Sequence, residues 1–282
     1  MTTAIIFSRN RAAQLDLLLR SLQANAPALT DDVHVVWQIN RNAYGQGYTV
    51  CEREHPAVAF QRQFALDTDT LTLIENGDET VMFLTDDSVF YQPLPDFDPA
   101  DALASDDRLL CFSLRLGLNT TDCYPLRRPQ ASPRFERREG DWLSWRWRNA
   151  DADFGYPGSL DGHVFRREDA LWLIDRKPFG WMNPNELEER LVAMCPLSPR
   201  EWMGCYEQSV LVGVPVNKTG VTHLANRTGE TYSRTLPDLN AHYLSGQRLR
   251  LDTIPDRVTA SHAEFPLEFA QDSDRPTERR TA

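Results

Sequence analysis

The sequence has no Cys-x-x-Cys pair, no basic excess, no long apolar run and no internal repeat, and each of these gaps removes a class of protein. Its five cysteines, Cys51, Cys111, Cys123, Cys195 and Cys205, are odd in number and follow no secretory leader, so they read as reduced thiols of a cytoplasmic protein. A formal charge of -11 argues against a nucleic-acid partner or an anionic membrane surface, because phosphate would be repelled. A small anionic ligand stays open, since it needs only a locally positive pocket or a divalent cation in an acidic one. No apolar stretch approaches the roughly 20 residues of a membrane span, so a soluble chain is expected. The polar end at 271–282, QDSDRPTERRTA, reads as a disordered tail.

What the 282 residues do contain is an alternation of strand and helix signals, with 41% hydrophobic residues to fill a core. Thr3 to Phe7 is a β-branched and aromatic run; Asn10 follows as an N-cap, then Leu15, Leu18, Leu19 and Leu22 at i, i+3, i+4, i+7 spacing. Pro27 ends that helix. Val33 to Ile39 is a second strand, followed by a loop with Gly45 and Gly47 and a helix that stops before Pro56. Val58 to Phe60 is a brief third strand, and Phe64 to Glu75 a helix closed by Asn76-Gly77. Thr80 to Leu84 is continuously apolar, as strands buried on both faces are. Strands alternating with helices predict a Rossmann-like α/β fold with a mostly parallel central sheet flanked by helices. Ligands of such sheets bind outside the carboxyl ends of the strands, so Ser8-Arg9, Asn40-Arg41 and Asp86-Asp87 are expected to face one crevice.

The second half is less regular. Leu109 to Leu114 reads as a strand, Thr120 to Asn149 as long loops or a hairpin, Val164-Phe165 as a short strand and Asp169 to Asp175 as a helix. Asn185 to Glu188 fits a helix start, with Asn185 as N-cap and Glu188 at N3.

Asp86 and Asp87 carry the sharpest chemical signal, because adjacent carboxylates at the end of an apolar strand oppose each other's ionisation unless something neutralises them. Mg2+ or Mn2+ does so readily, since these ions prefer carboxylate oxygens together with substrate phosphates. The plain alternative is a solvated turn. VMFLTDDSVF resembles the metal-binding Asp-x-Asp region of GT-A glycosyltransferases, and AIIFSRNRAAQLDLLLRSL resembles their nucleotide-binding strand, loop and helix. SLDGHVFRRE with NPNELEERL resembles the acceptor side of bacterial members; Thr120 to Asn149 and the tail lie outside the resemblance.

The resemblance implies a GT-A fold in one domain over 1–270, with a nucleotide-sugar half at 1–118, an irregular acceptor half at 119–270, and the tail beyond. It implies transfer of a sugar from a nucleoside-diphosphate donor, uridine-linked as first expectation, to a hydroxyl acceptor, with Mn2+ or Mg2+ bridging the diphosphate. Residue by residue, it makes Asp87 the metal ligand, has Asp86 contact metal or donor ribose, and places Ser8, Arg9 and Arg11 along the nucleotide. Thr85 stands where the family's triplet has its first Asp. The late histidine that completes such a shell would be His223, with His163 second, while Lys218 or Arg227 would offset charge on the diphosphate.

Candidate bases for the acceptor hydroxyl are Glu186, Asp161 and Glu188. Glu186 is the first choice, with Glu188 assigned to the capping box. Asp161-Gly162 reads as a turn, or as a place where a sugar approaches the backbone. Among the tryptophans, Trp142 is the candidate sugar platform, while Leu143, Trp145 and Trp147 share a packed face. Two rival readings remain at this stage. A nucleotidyltransferase wants a glycine-rich phosphate loop that SRNRAAQ lacks; a carbohydrate- or nucleotide-binding module on the same fold needs no base.

Overall fold

A computed structural model describes residues 1–175, 180–219 and 227–271. The first half runs β1 (Thr2–Arg9), α1 (Ala12–Asn25), β2 (Val33–Gln38), α2 (Gly45–Glu54), β3 (Ala59–Arg62), α3 (Leu66–Asn76) and β4 (Thr80–Thr85). These are the expected βα units. β5 (Ser88–Phe90), α4 (Pro99–Ser105) and β6 (Leu109–Ser113) follow, then β7 (Asp122–Cys123), β8 (Arg128–Pro129), β9 (Glu136–Arg138) and β10 (Trp142–Arg146). The remainder is β11 (His163–Arg166), α5 (Arg167–Asp175), α6 (Pro184–Met194), β12 (Trp202–Tyr206), β13 (Leu211–Gly213), α7 (Leu236–Leu244), β14 (Gln247–Leu249) and β15 (Phe269–Gln271).

One nine-stranded sheet has the order β3-β2-β1-β4-β11-β6-β12-β10-β9, and only β11 and β10 run against the rest. The architecture is therefore Rossmann-like and mostly parallel, as the GT-A expectation requires. Strands from both sides of residue 118 share this sheet. Side-chain alternation splits the core into two layers. Ala4, Ile6, Met82 and Leu84 face α1 and α2, while Ile5, Phe7, Val81 and Phe83 face α3, α5 and α6. The four leucines read as a helix face, Leu15, Leu18, Leu19 and Leu22, are all buried in the first layer, each contributing about 1.5–3 kcal/mol by burial.

Several local expectations need correction. Asn10 is not the N-cap of α1; Arg11 is, and it makes no side-chain cap bond. Asn10 instead takes a left-handed backbone (φ 59°), and its Oδ1 accepts the Asn40 N–H at 3.0 Å, which ties the ends of β1 and β2 together. Gly45 and Gly47 lie inside α2 rather than in a loop, and a Cβ on Gly47 would stand 2.9 Å from the Ala12 Cβ. The glycine thus allows α2 to pack closely on α1. Trp142 is no sugar platform: β10 lies inside the sheet, and the ring is buried against Phe97 and Phe112. Gln271, read as the start of the tail, closes β15 opposite Gln247; 272–282 lie outside the described residues. Among the described residues no helix is long and apolar enough to cross a membrane.

Candidate active site

The sheet register brings the candidate residues together. In β1 and β4, Phe7 pairs with Thr85, and the Asp86 N–H donates to the Phe7 carbonyl at 3.1 Å, so Ser8-Arg9 and Asp86-Asp87 end level. Because β11 runs antiparallel to β4, its entry turn falls at the same edge; Gly162 N–H bonds the Phe83 carbonyl at 2.8 Å and sets Asp161 beside Thr85. β6 delivers Arg115 just beyond its own carboxyl end. The Val214 N–H bonds the Asp87 carbonyl at 2.7 Å, which anchors the segment carrying Asn217 and Lys218.

These residues line a cavity of about 530 Å³, within the size range of small-molecule sites. Five acids line it, Asp86, Asp87, Asp153, Asp161 and Glu188, together with five Arg and Lys side chains, Arg9, Arg11, Arg115, Lys218 and Arg227, and with His262. A chain of net charge -11 thus presents a crevice with at least as many cationic groups as acids. Asn40 and Arg41 do not join it. They line an adjacent depression that shares Asn217, Lys218, Thr219 and Thr228 with the crevice.

The acid pair shares one internal counter-charge. Arg11 Nη1 lies 2.9 Å from Asp86 Oδ1 and 3.0 Å from Asp87 Oδ2. Ser8 donates to Asp86 Oδ2 at 2.9 Å, as does the Arg9 N–H at 2.9 Å. With the one Ser8 proton so committed, the Tyr48 hydroxyl at 2.7 Å donates to Ser8 and accepts the Arg11 N–H. Burial pushes the Asp86 carboxyl up, Arg11 pulls it down and Asp87 pushes it up again; the net direction is upward. Burial works against the charge on Arg11 too, but the two carboxylates outweigh it and hold the guanidinium firmly protonated.

A second buried network adjoins the first. The Thr85 hydroxyl lies 2.8 Å from Asp87 Oδ1 and 2.5 Å from Asp161 Oδ1, so it bridges the two acids where another carboxylate would have added a third charge. Asp161 Oδ2 meets His262 Nε2 at 3.0 Å and Arg115 Nη1 at 3.7 Å. Burial opposes its ionisation, yet the His262 hydrogen bond and charge and the Arg115 charge prevail and hold it well below the usual carboxylate range. Among the described residues Glu188 has no such cationic partner in hydrogen-bond contact. Burial, then the charge of Asp161, lifts its carboxyl to about 7.

Glu186, not Glu188, makes the capping box of α6. The N-cap of α6 is Asn183, not Asn185: its Oδ1 accepts the Glu186 N–H at 3.1 Å, and Glu186 Oε1 accepts from Asn183 Nδ2 at 2.7 Å. The capping box therefore occupies Glu186, outside the cavity lining, while Glu188 reaches the crevice. His163 is wholly buried, with Nδ1 3.0 Å from the Pro157 carbonyl, and burial followed by the Arg115 charge lowers it to about 3. It is a neutral core residue. Gly162 has φ 76°, and its missing Cβ would stand 2.0 Å from Leu211 Cδ2, so packing rather than a sugar requires it. Arg227 is partly engaged already, with Nη1 on the Tyr124 carbonyl at 2.6 Å and Nε on Glu230 at 3.1 Å.

The residues that sequence reasoning missed are Arg115, Asn217, Tyr48 and His262. Arg115 follows a recognised strand and was within reach of the strand-end rule. His262 carries no signal, because a β-bridge to the distant Gly213, whose N–H bonds the Ser261 carbonyl, brings it in.

Of the expected metal shell, His223 lies outside the described residues, and Arg11 occupies the face shared by Asp86 and Asp87; among the described residues no group of three or more His, Cys, Asp or Glu that could hold a metal occurs.

No protein-family model and no curated protein matches the chain. Solved structures do. They include S. aureus TarS, at 12% identity and TM-score 0.45 over 77% of this chain and 37% of that one. The mannosyltransferase PcManGT from Pyrobaculum calidifontis, in complex with GDP-Man and Mn2+, matches at 14% identity and TM-score 0.32 over 62% and 46%. The bifunctional WbbM glycosyltransferase matches at 11% and 0.31 over 68% and 37%. Two of the three are sugar transferases by name. The chain spans less than half the length of each, and likeness at this level concerns the fold, so function rests on the site's own geometry.

Proposed function

We propose that the chain is a glycosyltransferase that moves a sugar from a nucleoside-diphosphate donor, uridine-linked in the first instance, to a hydroxyl acceptor. The observation that carries this reading is the crevice at the carboxyl ends of β1 and β4, where fixed cations stand opposite a carboxylate lifted to about 7. In this reading Arg9 and Lys218 meet the donor diphosphate; the Arg9 Nε is buried without a hydrogen-bond partner among the described residues, which an anion would supply. Glu188 takes the acceptor hydroxyl proton. The acceptor oxygen then bonds the anomeric carbon, and the bond from that carbon to the diphosphate oxygen breaks with its electrons leaving on the diphosphate. A base that titrates near neutrality suits this step. Asp161, held ionised by His262 and Arg115, orients rather than exchanges protons.

Glu188→Gln is the direct test. With a panel of nucleotide sugars, transfer should fall by about 10²–10⁴-fold and lose the pH limb near 7, while donor binding, read as a thermal shift, persists. Unchanged transfer in this variant removes Glu188 from the role, and no thermal shift with any nucleotide sugar removes the donor.

A further inference from the structure

An acid pair in a crevice needs a counter-ion, and here the chain carries its own. Three of the four carboxylate oxygens of Asp86 and Asp87 accept hydrogen bonds from the protein, Asp86 Oδ1 and Asp87 Oδ2 from Arg11 and Asp86 Oδ2 from Ser8 and the Arg9 N–H; the fourth, Asp87 Oδ1, stands 2.8 Å from the Thr85 hydroxyl, whose single proton it shares with Asp161 Oδ1. The guanidinium is fixed on its other edge as well. Its Nε donates to Asn217 Oδ1 at 2.8 Å and its Nη2 to the Asn217 carbonyl. Asn217 in turn belongs to the segment that Val214 ties to the Asp87 carbonyl. Cation and acids thus share one framework, with the Arg11 side chain 10% exposed.

We propose that Arg11 is the resident cation of this site, holding Asp86 and Asp87 in place of a divalent metal, so that the anionic ligand binds to fixed side-chain cations without Mg2+ or Mn2+. Mg2+ demands near-octahedral oxygen ligation with waters retained, and Mn2+ likewise needs open carboxylate oxygens. To enter, either ion would have to strip Arg11 from both acids and leave a buried guanidinium beside a dication, uncompensated. Thr85 fits the same picture, since a hydroxyl bridges Asp87 and Asp161 with no extra negative charge for a metal to balance. Only the identity of the anion rests on the glycosyl-donor reading.

Mn2+ titrations followed by electron paramagnetic resonance of the free ion test this on the full chain. The wild-type protein should leave the free-ion signal unchanged. Arg11→Met should take up Mn2+ at least roughly tenfold more tightly than wild type, Asp87→Asn in that background should abolish the uptake, and Arg11→Lys should bind none. Wild-type uptake that Asp87→Asn removes overturns the proposal, and so does a folded Arg11→Met chain that takes up none. Should Arg11→Met not fold by circular dichroism, wild type against Asp87→Asn decides alone: no uptake in either supports the proposal, and Asp87-dependent uptake sinks it. UDP separates the two readings. A UDP thermal shift in EDTA supports both, a shift that needs Mn2+ overturns the role of Arg11 alone, and no shift under either condition overturns the uridine-linked donor while the Mn2+ titration still decides on Arg11.

Discussion

Glu186 and Glu188 lie two residues apart on one helix and do different work. The sequence offers two overlapping capping boxes, Asn183 with Glu186 and Asn185 with Glu188, and spacing alone does not choose between them. Pro184 does: proline is favoured at the first helical position, where its missing N–H costs nothing, and that makes Asn183 the N-cap. The signal was legible and pointed away from Glu186 as base. Glu186→Ala should accordingly cost about 1 kcal/mol of stability, read from a denaturation midpoint, and leave turnover unchanged. A large loss of turnover at unchanged stability would return Glu186 to the chemistry. Arg11 was legible only as a cation near the nucleotide; that it binds the acids themselves depends on Asn217, which is 206 positions away.

At the scale of elements, the strands of the first half could be read because each is a short apolar run closed by a turn residue, and such a run has few alternatives to a buried strand. What could not be read is the order in which the sheet assembles them. β11 enters between β4 and β6 and runs against both, and that reversal brings Asp161 to the same edge as Asp86 and Asp87. Gly162 makes the turn into β11 possible. Gly162→Ala should therefore destabilise the protein by about 1–3 kcal/mol from backbone strain alone, with the contact against Leu211 adding to it. A melting temperature within error of wild type would show that the turn relaxes freely.

For the whole molecule, the buried Asp161–His262 pair joins the C-terminal segment to the middle of the sheet and makes stability depend on pH. The His262 pKa is raised: burial opposes its charge, and the Asp161 hydrogen bond and charge overcome that. Its contribution is fully present below its ordinary value of 6.5 and is lost as pH rises through the higher folded value. Asp161 is depressed, so its contribution is present above its ordinary 3.8 and is lost as pH falls through the lower folded value. Asp86, raised from its ordinary 3.8 to about 6, and Glu188, raised from 4.5 to about 7, likewise contribute stability that is fully present below their ordinary values and is lost as pH rises through the folded ones. Stability should decline from about pH 4 toward alkaline pH, and His262→Gln should flatten the part of that decline above 6.5 in a melting series. An equally steep fall in the variant would assign the dependence elsewhere. The sequence by itself determined the alternating elements, the apolar layers and the acid pair at the end of β4, because hydrophobic period and turn chemistry act over a few neighbouring residues. Only the tertiary structure decided what balances that pair, which glutamate faces the crevice and where His262 lands, because strand order and distant loop pairing set those contacts and leave no local trace.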